Sequence, residues 1–304
     1  MSTPNPTLHA LGFSPTDRVV LFHADDIGCC QASAAGYPDL VEFGLLSTAA
    51  VMVPCPWFPA VAAYCRANPD HPNLDLGVHL TLTAEYDDYR WGPISTRQAT
   101  AGLMDGEGYF FRTSKEVGEH ANPVAVKREL EAQIEQAIAA GIDITHIDSH
   151  MGSAMHPKFF GAYVELALKY RVPAFLIRWS EERMAQRGFD GEAAQAMYRI
   201  IDTAAEAGLP IFDNIIGIPL HAEPARIEDR MEHAKQMIRD LPPGLNNFIC
   251  HPVKDTPEVH QMAPDTGTRR AHDYAIFTSE EMRDFVKEQG IHVIGYRTLR
   301  DQMR

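Results

Sequence analysis

Short apolar stretches rich in Val, Ile, Leu and Phe recur along this chain, and a helical pattern or a polar loop separates most of them from the next. The runs fall at 19–27, 45–53, 74–83, 142–149, 172–177, 211–220, 245–250 and 291–295, and each has the length and residue types of a strand. Helical patterns are read at 33–43, 57–67, 123–140, 158–170, 181–207, 226–239 and 279–289. The clearest is 123–140, where Val126, Leu130, Ile134, Ala137 and Ile138 share one face and Gly141 stops the helix. Gly188 and Gly191 predict a break within 181–207. Repeated strand–helix units over this length predict a parallel-sheet α/β domain. A barrel is preferred over an open sheet, because polar residues gather at the C-terminal ends of several strands.

No linker, repeat or low-complexity tract divides the 304 residues, so one domain is expected over 16–304, preceded by a polar arm at 1–15. Residues 84–122 form a long aromatic-rich insertion, and loops of that length inside a compact domain are usually functional or mobile. A net charge of -14 without a basic run argues against a nucleic-acid partner. The N-terminus lacks a signal-peptide pattern, and no apolar run reaches the length of about 18 residues that a spanning helix requires. Five irregularly spaced cysteines fit a reducing compartment, so a cytoplasmic protein without a membrane partner is expected, with a homodimer as the default assembly.

The chemistry is concentrated at strand ends. Residues 19–28 deliver His23, Asp25 and Asp26 to the end of the first strand. Adjacent carboxylates there resist joint ionisation, and a divalent cation would relieve that cost by taking one of them as a ligand. The plainer reading is that Asp25 or Asp26 caps the next helix. His79 lies in the third run, and His146, Asp148 and His150 alternate onto one face of 145–150. His251 ends a further strand. Each histidine alone has a structural reading, but their joint placement points to a metal site. Imidazole with carboxylate suits Zn, Mn, Fe or Ni, while carboxylate with water leans towards Mg. Two histidines and one aspartate leave positions open for water and substrate.

The stretches 23–28 (His-Ala-Asp-Asp-Ile-Gly), 45–53, 77–83 (Gly-Val-His-Leu-Thr-Leu-Thr), 145–150 (Thr-His-Ile-Asp-Ser-His) and 250–252 (Cys-His-Pro) resemble the YdjC/ChbG carbohydrate deacetylases. Arg270-x-x-Asp273 resembles that family's Arg-x-x-Glu segment, and the motifs run in order from residue 19 to about 299. The resemblance implies a seven-stranded β/α barrel related to NodB-type deacetylases, and metal-dependent removal of N-acetyl groups from amino sugars such as chitooligosaccharides. It implies Asp26, His79 and His150 as ligands of a divalent metal, Mg or Zn. It further implies Asp25 as general base and His251 as general acid.

Arg270, Trp91 and Tyr86 are candidates for substrate binding, although aromatics in such a loop are as often packing anchors. The chain departs from the family pattern at Ile27, where Phe is frequent, and at Gly152, where the second histidine of Asp-x-His-x-His is absent. Two other functions remain open at this point. One is metal-dependent hydrolysis of a non-sugar amide or ester; the other is a metal- or sugar-binding relative without turnover.

Overall fold

A computed structural model describes residues 5–186, 191–221 and 226–304. Its sheet is parallel and comprises seven strands among the described residues: β1 (Arg18–Ile27), β2 (Thr48–Val51), β3 (Leu76–Leu80), β4 (Ile144–Ser149), β5 (Asn214–Gly217), β6 (Gly244–Cys250) and β7 (His292–Val293). The order is β4-β3-β2-β1-β6-β5, with β7 added on β1. Between the β4 and β5 edges, the bridges Ile147–Ala174 and Ile177–Phe212 close the ring, giving the expected β/α barrel. The run at 172–177 is thus a pair of bridges and not a regular strand.

The helices are α1 (Pro6–Ala10), α2 (Gln31–Phe43), α3 (Phe58–Ala67), α4 (Ser114–His120), α5 (Pro123–Ala139), α6 (Pro157–Tyr170), α7 (Glu181–Gln186), α8 (Gly191–Glu206), α9 (Ile227–Arg239), α10 (Pro257–Met262), α11 (Gly267–Phe277), α12 (Glu280–Glu288) and α13 (Tyr296–Met303). Helix α1 lies within the stretch read as a polar arm. Its buried Leu8 joins a core cluster with Val19, Leu21 and Leu245, and Asn5 caps it. Of the two glycines read as a break, Gly188 lies outside the described residues, and Gly191 begins α8.

Period-two alternation along β1 sorts its side chains. Val20, Phe22 and Ala24 belong to the large core under the helices, and Phe22 meets Phe248 and Phe277 with ring centroids 5.4 and 6.0 Å apart. Burying each such ring contributes about 1.5–3 kcal/mol. On the other face, Val19 and Leu21 join a second cluster with Phe212, Leu245, Tyr296 and Leu299. The next two residues on that face are His23 and Asp25. The barrel interior therefore passes from an apolar layer to a histidine layer and then to carboxylates at the C-terminal rim. Because the strands are parallel, the ends of β3, β4 and β6 reach the same rim.

Candidate active site

At the rim of β1 the backbone turns through a left-handed residue, Asp26 at φ 61°, followed by Gly28 at φ 80°. Aspartate tolerates that conformation better than most residues. A Cβ at Gly28 would press on Val51 Cγ2 at 3.3 Å. Helix α2 is capped at Cys30 with help from Ser33, so neither aspartate serves as its cap. Both are buried and face a cavity of about 1020 Å³.

Asp26 Oδ1 lies 3.3 Å from His79 Nε2 and 3.1 Å from His150 Nδ1. These three ligand atoms fall within 4.8 Å of one another. The two imidazole nitrogens are near Oδ1 but not aligned for hydrogen bonding, so the oxygen is buried without a hydrogen bond. Its partner oxygen, Oδ2, accepts from Arg270 Nη1 at 2.7 Å. Each histidine is held from its far side. His79 Nδ1 meets Asp148 Oδ1 at 2.7 Å, and His150 Nε2 meets Glu85 Oε2 at 3.0 Å. A carboxylate behind each imidazole is the usual support of a metal-binding histidine, because it orients the ring and raises its basicity. The orphaned oxygen, the supported rings and the donor set all fit a divalent cation.

Without a cation these groups polarise one another. Burial opposes charge on His150, but the Glu85 and Asp26 carboxylates prevail and push its pKa up to about 9. Burial likewise opposes charge on His79, yet Asp148 and Asp25 raise its pKa well above the ordinary imidazole value. Burial alone would raise Asp26, but Arg270 and His150 hold it well below the usual carboxylate range. Burial pushes His251 down to about 4, so that ring is neutral at pH 7. His251 Nε2 and His79 Nε2 each lie 3.8 Å from Asp25 Oδ2.

The barrel thus brings five of the sequence candidates, Asp25, Asp26, His79, His150 and His251, to one rim. Arg270 also lines the cavity, but its guanidinium is engaged with Asp26. One turn later on α11, Asp273 accepts from the His251 backbone N–H at 3.1 Å and pairs with Arg230. A single helical face thereby supports both Asp26 and His251. Tyr86 lines the cavity. Trp91 does not offer a stacking face for a sugar: it is 3% exposed, its Nε1 donates to the Thr83 carbonyl, and Tyr86 and Tyr89 pack edge-on against it. Its large apolar ring is the anchor of the insertion. At Gly152, φ is +65° and a Cβ would meet nothing within 4 Å, so the missing imidazole leaves open space in the cavity wall.

Three participants escaped the sequence reading as site residues: Glu85, Asp148 and His23. Asp148 carried a signal, since it shares a face with His146 and is the direct cross-strand partner of His79. Glu85 lies in the irregular insertion, where no periodicity marks it.

The model of the family described as YdjC-like protein matches residues 19–288. The chain belongs to the YdjC-like family. A protein of Thermus thermophilus named carbohydrate deacetylase is 31% identical over 288 residues, covering 94% of this chain and 95% of that protein. Carbohydrate deacetylase 1 of Listeria innocua is 32% identical over 286 residues, covering 92% and 99%. Among solved structures, a crystal structure from Enterococcus faecalis V583, of a protein named for cellobiose-phosphate cleavage, superposes with a TM-score of 0.71 at 23% identity. It covers 93% of this chain and 99% of that one, so the two share the overall fold described above.

Proposed function

We propose that this YdjC-like protein is a metal-dependent deacetylase that hydrolyses the N-acetyl amide of an acetylated amino sugar or oligosaccharide. The observation that carries the reading is the convergence of Asp26 Oδ1, His79 Nε2 and His150 Nδ1, each imidazole buttressed by its own carboxylate. The relatives named carbohydrate deacetylase support the substrate class.

In this reading Asp26, His79 and His150 hold the cation, and two imidazoles to one carboxylate lean towards zinc over magnesium. A cation bound there supplies Lewis-acid polarisation of the amide carbonyl and acidifies a water molecule. Arg270 occupies Asp26 Oδ2 and leaves Oδ1 as that residue's donor atom. Asp25 accepts the proton of the attacking water. His251 stands 3.8 Å from Asp25 Oδ2 and is neutral beforehand, so it takes up this proton and passes it to the departing amine. Tyr86 stands in the cavity wall on the substrate side.

The protein, reconstituted in turn with zinc and magnesium, should release acetate from N-acetylglucosamine oligomers, and the metal-stripped protein should not. Asp25→Asn should reduce that release by about 10²-fold or more while binding the cation at unchanged stoichiometry. Absence of acetate with either cation, or full activity in the variant, would overturn the assignment. A second reading, hydrolysis of a non-sugar amide or ester, draws on the apolar part of the cavity wall formed by Phe175, Ile215, Leu220 and Ile249. Faster turnover of acetylated aryl amines or esters than of acetylated sugars would favour it.

A further inference from the structure

Beneath the rim, a hydrogen-bonded line of buried side chains runs from Asp25 through the barrel interior. His23 Nδ1 meets Asp25 Oδ1 at 2.5 Å, and His23 Nε2 meets His146 Nε2 at 2.9 Å. His146 Nδ1 lies 3.1 Å from Thr145 Oγ1, which donates to Asp75 Oδ1 at 2.6 Å. Asp75 also accepts from Thr48 Oγ1 at 2.9 Å and from the Arg297 backbone N–H at 2.7 Å. His23, His146 and Thr145 are all fully buried, and the Tyr296 ring stacks on His146 with centroids 3.7 Å apart. Apart from Asp25, none of these groups has a place in the metal set or in the proton transfers described above.

The donors and acceptors give this line a direction. A threonine hydroxyl has one proton, and Thr145 commits it to Asp75, so towards His146 it can only accept. His146 Nδ1 therefore carries the ring proton, and its Nε2 is an acceptor. His23 Nε2 must then donate to it, while His23 Nδ1 donates to the Asp25 carboxylate. Both His23 nitrogens carry protons. The shifts agree with this polarity: burial opposes the charge on His23, but Asp25 prevails and raises it, whereas burial and then His23 hold His146 well below the ordinary value.

We infer that His23 is a positioning residue for the deacetylation reaction: aimed by His146, Thr145 and Asp75, it anchors Asp25 Oδ1 so that Oδ2 faces the substrate and His251. This rests on the role proposed for Asp25. A carboxylate on a flexible two-torsion stem would otherwise rotate between the two rim histidines. The His23 bond fixes one oxygen and leaves the other free. Asn and Gln substitutions separate the two ends of the ring. The Asn amide sits where Nδ1 was and still reaches Asp25, whereas the Gln amide sits nearer Nε2 and reaches His146.

His23→Ala and His23→Gln should lower kcat about 10–100-fold, the range usual for lost support of a site residue, with KM and cation affinity within about twofold of the parent. His23→Asn should recover most of that loss. Nitrogen-15 NMR of the metal-free protein should show two ring protons on His23 and one, at Nδ1, on His146. Thr145→Val, which removes the acceptor, should shift the His146 proton to Nε2. Equal damage from Asn and Gln, a parallel loss of cation affinity, or a singly protonated His23 in the parent would overturn the inference. The NMR readout needs no turnover, so an inert parent enzyme would count against the deacetylase reading and leave this result standing.

Discussion

His150 stands between the Glu85 and Asp26 carboxylates, and with the metal role proposed for it this makes cation capture a competition with protons. With its pKa raised to about 9, His150 holds a proton at pH 7 in the metal-free protein. That charge contributes stability fully below about pH 6.5, the ordinary imidazole value, and the contribution is lost as pH rises through about 9. Cation binding has the opposite sign, because Nδ1 must be bare to ligate. Apparent cation affinity should strengthen as pH rises from 6.5 to 9, as protons leave His150 and the likewise raised His79. Calorimetry in buffers of differing ionisation enthalpy would detect the released protons, and a pH-independent affinity over that range would remove His150 from the ligand set. At this scale Asp25, Asp26, His79, His150 and His251 were legible, because each lies at or beside a strand end and strand ends share a rim. The groups behind them were not. Glu85 and Asp75 act through partners 65 and 70 residues away, and no local pattern records such a pairing.

Helix α5 joins the insertion to the barrel through two buried side chains. Glu129 accepts from the Ile94 and Ser95 backbone N–H groups at 3.1 and 2.8 Å, and from Gln133 Nε2 at 2.9 Å. Gln133 in turn holds both the N–H and the carbonyl of Thr81, just beyond β3. The insertion at 84–122 is accordingly packed, with Trp91, Leu103 and Phe110 buried, and it presents Glu85 and Tyr86 to the cavity. Glu129→Gln turns an amide donor towards backbone donors, at a cost of about 1–3 kcal/mol. The expected result is a lower urea midpoint and faster hydrogen exchange at Ile94 and Ser95 than at β3 amides. Uniform acceleration through the barrel would show that Glu129 does not act locally. Among the elements, the amphipathic helices and the apolar strands stood out in the sequence. Helices α4, α10, α11 and α13 did not, since α4, α10 and α13 are short and the buried face of 267–277 includes Arg270 and Asp273, which interrupt its apolar period.

Across the whole molecule, Arg230 on α9 and Asp273 on α11 form a fully buried ion pair, with Nε–Oδ1 2.8 Å and Nη2–Oδ1 2.7 Å. Arg230 Nη1 also donates to the Pro219 carbonyl beyond β5. The pair therefore ties two helices, the β5 loop and the His251 backbone into one unit. Arg230→Met strands a buried carboxylate and should cost about 3–5 kcal/mol of global stability. Replacing Asp273 with Leu in the same chain should restore much of that loss in a denaturant melt. A double variant whose loss equals the sum of the losses of Arg230→Met and Asp273→Leu alone would mean that the two sites are uncoupled. The ring as a whole is not uniform. Ladders join β4, β3, β2, β1, β6 and β5 in turn, whereas the β4 and β5 edges meet only through the Ile147–Ala174 and Ile177–Phe212 bridges among the described residues. Phe175 and Ile215 flank that joint and line the cavity. The barrel is a cask with one lightly pegged stave, remote from the stave that carries Asp26 but beside the one that ends at His150. Prising at that stave reshapes the room offered to a guest and loosens the stave behind His150 as well, so the width of the room and the seating of that ring are set by one wall.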